Sequence, residues 1–151
     1  MQQEKNIPQW QASALMIVGI ELRTSNNEAM ETIPPFWGRF FAEGIPEKVK
    51  GKLSNDVYAV YTNFENEGVN NEGVYSMFIG VEVDSFEDIP EGLVTTTIKK
   101  QNRLVFQVED GKPENVGATW HKIWGEVAEK TFIAEYEHYH KNGIDIYIGI
   151  T

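Results

Sequence analysis

Two glutamates, Glu135 and Glu137, stand in the most chemically loaded stretch of the chain, Ile133-Ala134-Glu135-Tyr136-Glu137-His138-Tyr139. Strand alternation puts both carboxylates on one face. A carboxylate in half-apolar surroundings can hold a cation when aromatic rings strip the ligand of water and the ring faces add their own attraction. Desolvation raises the pKa of such a carboxylate, and an incoming cation lowers it again. Rings are plentiful: Trp37, Trp120 and Trp124 recur at helical spacing, a pattern equally suited to plain core. Other chemistries are poorly supplied. His138 and His140 share a strand face, but no third ligand stands at a telling spacing, so no metal centre is expected. Ser13, Ser25, Ser54, Ser76 and Ser85 lie in no nucleophile motif, and there is no glycine-rich phosphate loop. No catalytic residue and no cofactor follow from these motifs.

The elements that must position these residues read as follows. Ala14 to Ile20 is a short apolar run, a buried strand. Pro34 and Pro35 suit the first turn of a helix that carries Ile33, Phe36, Trp37, Phe40 and Phe41 and stops at Gly44 and Pro46. Glu47 to Asp56 reads as a loop. Val57 to Phe64 and Tyr75 to Val83 form a hairpin with a long polar connection. Asp84 to Gly92 links two halves. Val94 to Ile98 and Leu104 to Val108 read as one bent strand. A second helix then presents Val116, Trp120, Ile123, Trp124 and Val127 on one face. Ile133 to Tyr139 and Ile144 to Ile150 close the chain as a hairpin around Asn142-Gly143.

The two halves follow one plan. Trp37, Phe40 and Phe41 have the spacing of Trp120, Ile123 and Trp124, and Phe78-Ile79-Gly80-Val81 matches Tyr147-Ile148-Gly149-Ile150. The expected fold is α+β: duplicated β-α-β-β units forming an antiparallel sheet with two helices and a central ligand groove. Residues 1–12 read as an N-terminal segment free to be flexible, and 13–151 as a single domain with pseudo-repeats at about 13–84 and 93–151.

Hairpin geometry decides which way Glu137 points. Ile144, Ile146, Ile148 and Ile150 share the core face of the last strand, and Asp145, Tyr147 and Gly149 share the other. An Asn142-Gly143 turn sets Glu137 against Ile148, in the core. A three-residue Lys141-Asn142-Gly143 loop, with Gly143 at positive φ, sets it against Tyr147. An unpaired buried carboxylate is strongly disfavoured, so the second is expected. It gathers Glu135, Glu137, Tyr139 and Tyr147 on the non-core face, joined by Phe78 and Tyr61. Glu135 and Glu137 are then rival carboxylates on that face.

With 151 residues, 41% hydrophobic and 24% charged, the chain has the composition of an ordinary globular domain. The net charge of −10 argues against direct nucleic-acid binding and against an anionic membrane surface. The absence of cysteine excludes disulfides and thiolate chemistry. No apolar run reaches the ~20 residues of a membrane span, and the first dozen residues lack a secretory apolar region, so a cytoplasmic location is expected.

The pattern resembles the GyrI-like effector-binding domain, the ligand-sensing module of several bacterial multidrug-responsive transcription regulators, which also occurs free-standing. The resemblance covers roughly Leu15 to Ile150. It rests on Ile17-Val18-Gly19-Ile20, Pro35-Phe36-Trp37, Tyr58-Ala59-Val60-Tyr61, Phe78 to Val83, Tyr136-Glu137 and Ile146 to Ile150. It implies an aromatic groove between the halves that takes lipophilic, often cationic compounds, with a glutamate of the penultimate strand, here Glu137, pairing with the cation. The chain departs from the regulators in showing no DNA-binding helices.

The expected function is therefore binding of a small amphipathic, cationic or aromatic ligand by Glu137, Trp37, Tyr61, Phe78, Trp120, Trp124, Tyr139 and Tyr147. Two alternatives stay open. One is a hydrolase of reactive xenobiotics, with Glu137 and Tyr147 as base and acid. The other is a protein-interaction or inhibitor module, docking its acidic surface on a basic partner.

Overall fold

A computed structural model describes residues 8–11, 13–126, 130–131 and 133–150. The apolar run after Ala14 becomes the long strand β2 (Leu15–Ser25), in which Ile17, Val18 and Ile20 are all buried because both faces of the strand are covered. A short strand β1 (Pro8–Trp10) precedes it, inside the segment expected to be flexible; residues 1–7 and 12 lie outside the described residues. Helix α1 (Ala29–Ala42) and the short α2 (Ile45–Lys48) follow, then β3 (Val57–Thr62), β4 (Val74–Val83), β5 (Val94–Ile98) and β6 (Asn102–Gln107). Two 3-10 turns lead into α3 (Val116–Glu126), and β7 (Ala134–His140) and β8 (Gly143–Gly149) end the fold. The place expected for Val127 on the second helix lies outside the described residues.

Helix α1 begins five residues before Pro34 rather than at it. Proline inside a helix removes a backbone donor, so the extra turn depends on other bonds. Glu31 N–H and Thr32 N–H both donate to Glu28 O at 3.0 Å, and the Thr24 and Thr32 hydroxyls are 2.7 Å apart. Tertiary contact extended the helix past the point where the prolines alone would start it.

All strand pairs are antiparallel in one eight-stranded sheet of order β1-β6-β8-β7-β3-β4-β2-β5. The β-α-β-β plan appears twice: β2-α1-β3-β4 with spatial order β2-β4-β3, and β6-α3-β7-β8 with spatial order β6-β8-β7. The units meet where β3 pairs with β7, and Val60 faces Tyr136 at the pseudo-two-fold. Phe78 and Tyr147 occupy counterpart positions, opposite Val60 and Tyr136 respectively.

The expected single bent strand over 94–108 is instead two strands far apart in the sheet, β5 at one edge and β6 next to the other edge. β5 pairs with β2, and β6 lies between β1 and β8. Only Lys99 to Gln101 join them, so the sheet curls until its ends approach. Gln11 bridges the gap: its N–H donates to Gln101 O at 3.0 Å and its side-chain amide to Ile98 O at 3.2 Å. The curl creates two apolar layers. The concave side encloses Ile17, Tyr58, Val60, Phe78, Ile98 and Tyr136, with Leu15 and Tyr147 against them. The convex side carries both long helices: α1 covers Ala59, Met77 and Ile79 with Phe36 and Phe40, and α3 covers Ile144, Ile146 and Ile148 with Ile123.

The last hairpin differs from expectation. His140 pairs with Gly143, leaving Lys141-Asn142 as a two-residue turn, and Glu137 pairs with Ile146. Gly143 has φ 141°, positive as expected, but as a strand residue rather than as part of the loop. Glu135, Glu137 and Tyr139 therefore lie on the isoleucine face beneath the helices, while Tyr147 and Phe78 lie on the concave side.

Candidate functional site: an aromatic cleft between the two helices

Between the start of α1 and α3, above the β3–β7 junction, a cleft of about 870 Å³ opens on the convex side. That is the upper range of a small-molecule pocket. Its walls are mostly apolar. Helix α3 places Trp120 and Trp124 one turn apart, ring centroids 6.2 Å from each other, with His121 and Gly117 beside them. Because Ile123 is fully buried against the sheet, the two tryptophans turn to the helix flank. Tyr61 stands edge-on to Trp120 at 5.6 Å and to Tyr75 at 6.0 Å, and Phe64 continues the wall at 5.7 Å from Tyr75. Ala29, Met30 and Ile33 of α1 form the opposite side, Met30 being 91% exposed at the mouth.

Glu135 and Lys130 also line this space. Glu135 faces Tyr61 across the β3–β7 pairing and is 5% exposed. Its Oε2 is buried and has no hydrogen-bond partner among the described residues. Burial pushes its carboxyl up to about 7, against the pull of the Lys130 and Arg103 charges.

Glu137 lies behind the aromatic wall rather than on it. Its Oε2 accepts from Tyr61 Oη–H at 2.8 Å and from Trp120 Nε1–H at 2.7 Å, and its Oε1 accepts from Tyr139 Oη–H at 2.7 Å. The burial cost that argued against this face is met by three donors. Burial raises the pKa of Glu137, and the three hydrogen bonds oppose that rise. The phenols are held protonated as donors: burial and the neighbouring carboxylate keep Tyr61 and Tyr139 well above the usual range, and Tyr75 is pushed up to about 12.

Of the residues expected to bind ligand, Tyr61, Trp120 and Trp124 line the cleft. Tyr139 and Trp37 lie beyond Glu137, edge-on to each other at 5.2 Å and packed in the α1 core. Phe78 and Tyr147 are not brought to the cleft: the hairpin register turns them to the concave side, where Tyr147 stacks on Tyr136 at 4.6 Å. Glu137 and Tyr147, the acid–base pair of the hydrolase alternative, consequently lie on opposite faces of the sheet and cannot act as one. Sequence reasoning missed Phe64, Tyr75, Met30 and Ile33 as cleft residues. Tyr75 was findable, because it alternates with Met77 and Ile79 on the core face. His138 and His140 each meet a carboxylate, Asp56 at 2.8 Å and Asp145 at 3.0 Å, and no cluster of three metal-ligating groups occurs among the described residues. Among those residues no helix is long and apolar enough to cross a membrane.

Solved structures share this fold. An integron cassette protein from the mobile metagenome of Vibrio cholerae superposes with TM-score 0.75 at 18% identity, covering 98% of this chain and 97% of that one. A protein whose structure was determined bound to tetraphenylphosphonium superposes with TM-score 0.76 at 20% identity, over 97% of this chain and 93% of that one. A Staphylococcus aureus MU50 protein named for bacterial transcription regulation gives TM-score 0.71 at 18% identity, over 97% of each chain. No curated protein matches the chain. The family model for Cass2, the integron-associated effector binding protein, matches residues 11–150. The chain belongs to that family of effector-binding proteins.

Proposed function

We propose that the protein binds small amphipathic ligands with an aromatic body and a positive charge in the cleft between α1 and α3, and that Glu135 supplies the counter-charge. The observation that carries this reading is the pairing of an apolar, ring-lined cavity with one carboxylate whose buried oxygen has no partner among the described residues. Tyr61, Tyr75, Trp120 and Trp124 strip the ligand of water and face its cation, each contact contributing roughly 0.5–2 kcal/mol. The net charge of −10 draws cations toward the surface at low ionic strength. Glu137 positions rather than binds: through its bonds to Tyr61 and Trp120 it holds two of the rings in place. The neighbour of like fold bound to tetraphenylphosphonium supports a lipophilic cation as a suitable occupant.

Titration of the full chain with tetraphenylphosphonium, read by tryptophan fluorescence and by calorimetry, tests the reading. Saturable binding is expected, weakened about tenfold by Glu135→Gln, on the scale of a lost charge–charge contact. Triphenylmethanol, uncharged and similar in shape, should be nearly indifferent to that change. Equal losses for both probes would show that Glu135 serves the fold alone.

A further inference from the structure

The aromatic donors around Glu135 are already committed. Tyr61, directly across the strand pair, gives its hydroxyl proton to Glu137 at 2.8 Å. Trp120 has a single N–H and gives it to the same carboxylate at 2.7 Å. Tyr75 donates to Asn26 Oδ1 at 3.0 Å. The aromatic wall therefore offers Glu135 Oε2 rings but no free proton. Glu137, two residues away on the same face, shows what a buried carboxylate in this fold receives when it is structural: a donor on each oxygen. Glu135 instead lines the cleft, with its Oε2 buried and without a donor among the described residues.

From this we infer that the cleft selects cations that carry N–H donors, protonated aryl-alkyl amines and amidines, over quaternary onium ions of the same aromatic body. An onium ion brings charge and apolar surface but leaves the buried oxygen without a hydrogen bond. A primary ammonium brings the charge and the missing donor together, and a charge-assisted bond is the stronger kind. Lys130 shares the cleft and its charge acts on Glu135, and the proposed ligand ammonium approaches the carboxylate from the cavity that both residues line. This inference rests on the cleft being the ligand site.

The test is calorimetric titration of the full chain at pH 8 with two probes, 2-naphthylmethylammonium and its N,N,N-trimethyl counterpart. The primary ammonium is expected to bind at least tenfold more tightly. Glu135→Met, which removes the acceptor and keeps the bulk, should erase the preference. Glu135→Gln, which keeps an uncharged acceptor, should leave a reduced one and carries the comparison should the methionine variant not fold. Equal or tighter binding of the trimethyl probe to the unaltered protein overturns the inference while leaving the cleft as a cation site. A preference that survives Glu135→Met unchanged overturns it too. Failure of both probes to bind removes the cleft reading itself.

Discussion

Glu135 and Glu137 stand two residues apart on one face of β7, yet Glu137 accepts three hydrogen bonds while Glu135 has a buried oxygen with no partner among the described residues. The difference follows from position along the pseudo-two-fold. Tyr61 is the counterpart of Glu137 in the other unit, so a phenol and a carboxylate occupy equivalent sites and bond to each other across the junction. Glu135 is the counterpart of Ala59, which offers nothing to bond, and Glu135 lines the cleft.

Glu135 should make stability depend on pH. Its folded pKa of about 7 lies above the usual 4.5. A carboxyl raised in this way favours the folded state fully below pH 4.5, and that contribution is lost as pH rises through about 7. The loss is roughly 3 kcal/mol, from 1.36 kcal/mol for each pH unit. Glu135→Gln should be little changed in relative stability at pH 4 and should gain on the unaltered protein between pH 4.5 and 8. Urea denaturation at several pH values measures it, and a gap that stays constant with pH would exclude a raised Glu135. Affinity for a cation should rise over the same interval, as the carboxylate ionises.

Glu137 should behave as a structural acceptor. Glu137→Leu strands the Tyr61, Trp120 and Tyr139 donors in a buried setting. Each unsatisfied donor costs about 1–3 kcal/mol, so a loss of about 3 kcal/mol or more is expected in denaturant midpoint analysis. Glu137→Gln keeps an oxygen for two donors, and the Tyr139 hydroxyl can turn to accept from the amide, so its cost should be less than half as large.

Trp120 and Trp124 line the cleft, whereas Trp37 is packed against Tyr139 and Phe40. An aromatic cation should quench fluorescence through the α3 tryptophans. Trp37→Phe should therefore retain most of the ligand-induced quenching, and Trp124→Phe should lose a substantial part of it. The reverse ranking in steady-state titrations would move the site to the α1 side.

Counterpart glycines should differ. A methyl group on Gly80 would collide with the Val18 backbone carbonyl, which the paired strand holds in place. On Gly149 it would meet the side-chain ends of Gln101 and Thr131, which can turn aside. Gly80→Ala should lose about 2 kcal/mol or more, within the range for overpacking. Gly149→Ala should lose about 1 kcal/mol or less, and thermal or chemical unfolding compares the two.

Local pattern was enough to place the tryptophan stripe of α3, the isoleucine face of β8 and the repeated β-α-β-β order, because helical and strand periodicities are read from neighbours in the chain. The aromatic composition of the cleft was legible in the same way, through Tyr61, Trp120 and Trp124. The orientation of the acidic strand was not. A slip of one residue in a hairpin moves every side chain to the opposite face, and the register that holds Glu137 inside depends on donors from β3 and α3, 76 and 17 residues away. The desolvation argument against a buried Glu137 assumed that it was unpaired, and that it is paired could be known only once the two units had met. The same is true of β5 and β6, three linking residues apart in the chain yet separated by five strands in the sheet. Sequence alone placed both glutamates on one strand face, and tertiary packing decided which of them is bonded and which meets the cavity, because hydrogen-bond satisfaction of a buried group belongs to the assembled structure.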